Sequence, residues 1–203
     1  MRPRKALAAF LILTLALAVD SAVHAQKGRP ASFYAQAVGV PLNVIIVFGD
    51  QYNGGDELYD AKITVAEIVR GEKAWQMVKA AGAGNLPPAS GLEYLLARVR
   101  FEFSARAQPH HYDYTLDPAQ FSAMSAATAP YASADLAAPV KPELRGVVHP
   151  GDSAEGWVAF LIPRGDHTPL MVFREDVGSV IHQGDASIFK LYDENPAAKA
   201  KPY

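Results

Sequence analysis

From Leu92 to Arg106 the chain reads LEYLLARVRFEFSAR, and its polarity alternates with a period of two. Leu95, Ala97, Val99, Phe101 and Phe103 fall on one side, and Leu96, Arg98, Arg100, Glu102 and Ser104 on the other. Successive side chains of a strand point to opposite faces, so this stretch predicts a strand with one face on a core and one in water. The rest of the chain offers it partners. LNVIIVF, from Leu42 to Phe48, is β-branched and bounded by Pro41 and Gly49, a buried-strand signal. AKITVAEIVRG predicts a second strand with Ile63, Val65 and Val69 on one side. HYDYTL, QFSAMSA and LRGVVH are weaker strand candidates, PGDSAEGWVAFLIP is a turn followed by a buried strand, and PLMVFR and ASIFKLY complete the set. About eight short strands, one helix and no alternating helix–strand rhythm predict an all-β chain folded as an antiparallel β-sandwich.

The one helix is RGEKAWQMVKAAG, Arg70 to Gly82. Glu72, Gln76 and Lys79 share one face, and Ala74, Met77, Val78 and Ala81 another, with Trp75 beside them. Glu72 in the first turn and Lys79 in the last suit the helix dipole, and Gly82 and Gly84 supply a stop. A short helix over residues 72–81 between two strands is expected to be a crossover that plugs one end of the sandwich.

The N-terminus has another purpose. Arg2, Arg4 and Lys5 precede an almost wholly apolar run from Ala6 to Val19, and Val23-His24-Ala25 has the small-x-small form of a cleavage site. Residues 1–25 read as a secretory signal peptide cut between Ala25 and Gln26, the run being shorter than the roughly 20 residues that span a bilayer. No stable membrane insertion is expected after cleavage. Loss of Arg2, Arg4, Lys5 and Asp20 takes 19 basic and 21 acidic residues to 16 and 20, a net charge of −4. That sign argues against nucleic acid as a partner. The chain has no cysteine, which excludes disulfides, a thiol nucleophile and thiolate metal sites. The expected organisation is a flexible lead-in over 26–40, a β-sandwich over 41–193 and a mobile polar tail over 194–203.

Three motifs in this order resemble a family: RGEKAWQMVKAAGAGNLPPASGLEYLLARVRFEF, then FSAMSA, then PELRGVVHPGDSAEGWVAFLIPRGDHTPLMVF. The chain resembles the bacterial telokin-like domain of unknown function, which occurs in exported proteins and lipoproteins. The likeness runs from about Ile45 to Leu191 and rests on Arg70, Gly71, Trp75, Asn85, Pro87, Gly91, Glu93 and Tyr94, then Pro150, Gly151, Gly156 and Trp157. It implies an immunoglobulin-like β-sandwich and export. Many relatives carry a lipid-anchoring cysteine that this chain lacks, so the resemblance implies release and not a lipoprotein. It brings no catalytic, cofactor or metal residues, and the motif positions are expected to be structural.

His110-His111 with Tyr112 and Asp113 could begin a metal site, but adjacent strand side chains face opposite ways and cannot easily share an ion. His149, His167 and His182 are isolated in sequence. The segment around Asp50, Asp56, Glu57 and Asp60 invites a calcium reading, yet an EF-hand loop begun at Asp50 has Gly54 at position 5 and Ala61 at position 12. A hairpin loop with solvated acids fits better, and an irregular weak calcium site stays open. No nucleophile elbow, Walker loop or dinucleotide fingerprint is present in the sequence. Arg98, Arg100 and Arg106, interrupted by Glu102, read as a solvated sheet face, with a binding patch as the alternative. Trp75 and Trp157 lie in segments patterned for burial, which favours core packing over stacking platforms. The expectation is a secreted, non-enzymatic binding module without catalytic residues, cofactor or metal. Its partner would be an extracellular protein, peptide or glycan met by loops or a sheet edge. The alternatives are an extracellular hydrolase or metal-dependent enzyme using loop carboxylates and histidines, and a purely structural envelope domain.

Overall fold

A computed structural model describes residues 31–49, 55–174 and 187–193. Residues 1–25, read above as a signal peptide ending at an Ala25–Gln26 junction, lie outside the described residues, as do Asp50, His182 and residues 194–203. The spine of the fold is a pair of strands, β2 (Glu57–Arg70) and β3 (Leu92–Ala105), each 14 residues long. In front of β2 in the chain comes β1 (Leu42–Phe48), and β7 (Ser153–Pro163) pairs on the far side of β3. Together they form a four-stranded antiparallel sheet in the order β1-β2-β3-β7. Its inner face is covered by two smaller antiparallel sheets. One joins β4 (Tyr114–Leu116) to β6 (Gly146–Val148). The other has the order β5-β8-β9, from Phe121–Met124, Leu170–Phe173 and Ser187–Lys190. The chain is an all-β sandwich, with β2, β3 and β7 longer than the short strands expected.

The alternation along β3 is what builds the core. Leu95, Ala97, Val99, Phe101 and Phe103 are buried, and pack with Ile46, Ala61, Ile63, Val65, Val158 and Phe160 from the same sheet. Tyr114, Leu116, Phe121, Met171, Phe173 and Phe189 meet them from the opposing layer. Rings fill the centre: Tyr59 stacks on Phe103 and Phe101 on Tyr114, each with centroids 4.9 Å apart. Burying one such ring contributes about 1.5–3 kcal/mol, with about 0.5–1.5 more for a well-placed aromatic pair.

Three placements differ from the sequence reading. First, Val69 does not share the side of Ile63 and Val65. The register shifts between Val65, opposite Val99, and Glu67, opposite Arg98, leaving Ala66 as an extra residue. This β-bulge inverts the alternation, so Val69 lies opposite Leu96 on the outer face. Second, the helix α2 (Glu72–Ala81) forms where expected but is not a crossover, because β2 and β3, which it joins, are direct antiparallel neighbours. It folds back onto the outer face instead of plugging an end. There Ala74 and Val78 are buried against Val69, Tyr94, Leu96 and Val140, with Trp75, Met77, Trp157 and Leu161 packed around them as a second, smaller core. Trp75 stacks on Tyr94 at 6.0 Å, and both tryptophans are half-buried, not fully enclosed. Third, the lead-in is tied down over its described part. After one helical turn, α1 (Ala31–Tyr34), Gln36 pairs in parallel with Phe189, donating to Ile188 O and accepting from Lys190 N, both at 2.8 Å.

That last contact belongs to a wider pattern of covered sheet edges. β7 is bridged along its free edge by Ser133, opposite Phe160, and by Glu143, opposite Trp157. β5 is bridged by Pro130 opposite Met124, and Tyr131 N donates to Ala123 O. β9 has Gln36. Among the described residues, β1 has no such cover.

Candidate functional site

The outer face of the four-stranded sheet divides in two. The small core under α2 takes the end near Tyr94, Leu96 and Trp157. The other end is open and charged, because β2, β3 and β7 place polar side chains on that parity once past the helix. Arg98 lies 2.5 Å from Glu155 and 4.0 Å from Glu67, Lys62 is 2.8 Å from Glu102, and Arg100 is 3.3 Å from the same carboxylate. Arg106 grips Asp60 with two nitrogens, at 2.9 and 2.5 Å. The face forms a depression of about 620 Å³, with Asn43 and Ile45 of β1 on one flank and Asp152 and Ser153 on the other. These pairs are exposed by a third to a half, so each is worth about 1 kcal/mol or less. They can be re-paired with a partner at little cost to the fold.

The acids expected in one loop do not converge. Glu57 and Asp60 are both in β2, and their pairing partners, Phe48 and Ile45, place them on opposite faces. Glu57 instead anchors the histidine loop. It accepts from the Tyr59 hydroxyl at 2.5 Å and the His111 backbone N–H at 2.9 Å, and pairs with the His111 ring. The buried Tyr59 hydroxyl also accepts from the N–H groups of His111 and Tyr112, at 3.2 and 3.0 Å. A second pair, His149 with Asp113 at 2.8 Å, sits where β4 meets β6. His110 lines a smaller depression of about 300 Å³ with Asp56, Glu57 and Pro109. Among the described residues no three His, Asp or Glu side chains form a group able to hold a metal ion.

Hydrogen bonds from Tyr59 and His111 hold the Glu57 carboxyl down at about 2, against an ordinary 4.5. The hydrogen bond to Asp113, aided by its charge and that of Asp152, raises the His149 imidazole. Glu57 therefore adds stability that is complete above pH 4.5 and is lost as the pH falls towards 2. We expect the stability gap between wild type and Glu57→Gln, measured by denaturant titration, to be widest near neutrality and to close on acidification. A gap that stays constant from pH 7 to pH 2.5 would refute this role. His149 acts in the opposite sense: its contribution is present below its unfolded value and fades as the pH rises through its raised folded value.

The motif positions serve the architecture around this face. Arg70 and Glu93 form an ion pair, and Arg70 also donates to Asp166 O at 2.9 Å, close to the Tyr131–Asp166 hydrogen bond. Gly71 turns from β2 into α2 at φ +67°, where a Cβ would also press on Glu93. Asn85 is buried and ties the helix to the segment opposite through Val78 O and Ala138. Pro87 is exposed in the loop before Gly91. Tyr94 donates to Leu86 O at 3.0 Å, and Gly91 O accepts from Arg164 N. Pro150-Gly151 form the turn into β7, Gly151 donating to Phe103 O at 2.7 Å. Gly156 and Trp157 receive the segment from Pro142 to Leu144, whose backbone bonds to Trp157. The Tyr59–Glu57–His111 tie was missed in the sequence, where only the spacing Glu57-Leu58-Tyr59, two residues on one strand face, hinted at it.

No helix of the described residues is long and apolar enough to cross a membrane. No family model matches the chain. No curated protein matches it either. Among solved structures it is similar to MPT63, a secreted protein from Mycobacterium tuberculosis, with 12% identity over 77% of this chain and 98% of that one, at a TM-score of 0.42. So distant a likeness assigns this chain neither family nor function.

Proposed function

We propose that the protein is a secreted, non-enzymatic, immunoglobulin-like binding module of the telokin-like kind, which meets its partner on the open outer face of the four-stranded sheet. The observation that carries this reading is the face itself: a 620 Å³ depression lined by half-exposed charges of both signs, on a rigid sheet, beside a region that α2 has sealed. Such a surface suits a polar extracellular protein, peptide or glycan better than an apolar ligand. The telokin-like assignment rests on the sequence motifs. The rival hydrolase has one observation in its favour, the His111–Glu57 pair, but Glu57 already accepts from Tyr59 and from two groups of His111. A carboxylate so occupied orients a loop more readily than it takes up a substrate proton. A purely structural envelope domain would leave the charged face without a ligand.

The test is capture from culture supernatant and envelope extract by the immobilised mature chain, beside the variant Arg100→Ala. A protein or glycan retained by wild type and released by the variant, at unchanged melting temperature, is the expected result. Equal retention by both, or no specific retention, would sink the proposal.

A further inference from the structure

The charges of the open face are not evenly matched. Arg98 has two carboxylates, Glu155 and Glu67, and Arg106 holds Asp60 with two nitrogens. Lys62 and Arg100 share one. Glu102 meets Lys62 Nζ at 2.8 Å through one oxygen and Arg100 Nε at 3.3 Å through the other, and neither cation has a second acid partner among the described residues. The two basic side chains are 43% and 50% exposed, and both line the 620 Å³ depression. Strand pairing brings them together. Lys62 of β2 lies opposite Glu102 of β3, and Arg100 is two residues from Glu102 on the same face of β3. The same register row continues to Asn43 of β1 on one side and to Ser153 of β7 on the other, both exposed. Polar side chains thus cross the whole sheet in line, over three strand spacings or roughly 14 Å.

We propose, taking this face as the ligand-binding one, that Lys62 and Arg100 together receive a carboxylate of the ligand, and that the ligand is a glycan with isolated uronate groups. An incoming carboxylate supplies the second acid that this pair of cations lacks, and the planar guanidinium of Arg100 can offer it a two-nitrogen grip. The rest of the depression limits the ligand. Its cations, Lys62, Arg100 and Arg106, are matched in number by Asp60, Glu102 and Asp152. A densely charged polyanion would meet those acids and be repelled. A uronate between uncharged sugars would not, because sugar hydroxyls donate to carboxylates and accept from the Asn43 amide and the Ser153 hydroxyl. An acidic peptide is the poorer fit. Peptides are gripped by strand addition or by pockets for their side chains. The apolar side chains of this depression are Ile45, on its flank, and Phe103, which is only 1% exposed.

Calorimetric titration of the mature chain with hyaluronan hexasaccharide, which bears a carboxylate on every second sugar, is the test. Three further probes accompany it: the neutral methyl ester of the same hexasaccharide, a heparin hexasaccharide as the densely charged glycan, and tetraglutamate as the acidic peptide. Hyaluronan should bind best, with the ester at least about tenfold weaker for loss of one charged hydrogen-bonded pair. Lys62→Gln and Arg100→Gln should each lose the preference for acid over ester. Glu102→Gln should bind hyaluronan more tightly, by up to about fivefold, because the carboxylate that competes for both cations is gone. All three variants should melt with the wild type, since the pairs they break are exposed. Equal binding of acid and ester, preference for heparin or tetraglutamate, weaker binding by Glu102→Gln, or no binding of any probe at millimolar concentration would overturn the proposal. The wider role of the face would survive any of these results if Arg100→Ala still released a captured partner, and would fall with the proposal if it did not.

Discussion

Gly156→Ala should destabilise the domain by about 3 kcal/mol, the upper end of the ordinary cost of overpacking. The added Cβ would lie 2.5 Å from both Glu143 C and Leu144 N, and 2.7 Å from Glu143 O. These are backbone atoms and cannot rotate aside. Moving them would strain the bonds from Trp157 N to Pro142 O and from Leu144 N to Trp157 O, and would lift the fully buried Leu144 from the core. In a domain of this size that cost lowers the melting temperature by roughly 6–12 °C. Gly151→Ala is the contrast. Its φ is +100° but a Cβ there meets nothing within 4 Å, so the cost is backbone strain alone, about 1–2 kcal/mol. If Gly156→Ala proved the milder of the two by calorimetry, the close approach of residues 142–144 to β7 would be wrong.

Asn85→Ala should cost about 3 kcal/mol for a different reason. The side chain donates to Val78 O at 2.7 Å and Ala138 O at 2.8 Å, and accepts from Ala138 N at 3.0 Å. Asn85 is only 6% exposed, so truncation strands buried backbone groups, each at a penalty of about 1–3 kcal/mol. Asn85→Asp sharpens the test. It keeps an acceptor for Ala138 N but turns a carboxylate towards two carbonyl oxygens, which favours the protonated acid. That variant should be more stable at pH 4 than at pH 7, since a raised folded pKa gives stability that is lost as the pH rises. Denaturant titration at both values reads this directly, and no difference between them would show that Asn85 does not hold the two segments together.

How far the fold could be read from the residues depended on the range of the signal. The alternation from Leu95 to Ser104 is a local property of one strand, and it located the core correctly. The helix at 72–81 was equally legible, because its period and its flanking glycines are local. Its position on the outer face was not. The clue was there in Tyr94 to Ala97, four successive buried residues that break the alternation and so require cover on both sides. The bulge at Val65/Glu67 leaves no compositional trace, because an extra alanine looks like any other. For the candidate site, Arg98, Arg100 and Arg106 were visible as a solvated row. The partners of Arg98 and Arg106 were not, since Glu155, Glu67 and Asp60 reach them only through strand pairing. Glu57 and Asp60 read as acids of one loop, and it took the start of β2 at Glu57 to separate them.

The extra residue in β2 acts like a shift of reading frame. Before Ala66 the chain counts odd positions inward; after it, even ones. What matters at this point is the bulge itself. Were Ala66 paired in regular register, Glu67 and Val69 would turn towards the main core and Ile68 would lie outside. The surface that α2 packs on would be gone, and the boundary between the sealed and open halves of the outer face with it. Deleting Ala66 would instead leave Glu67 and Val69 on the outer face, in plain alternation after Val65. The division on which the proposed binding surface depends is therefore set by the apolar pattern on either side of the bulge, and the bulge is how a chain with one residue to spare accommodates it.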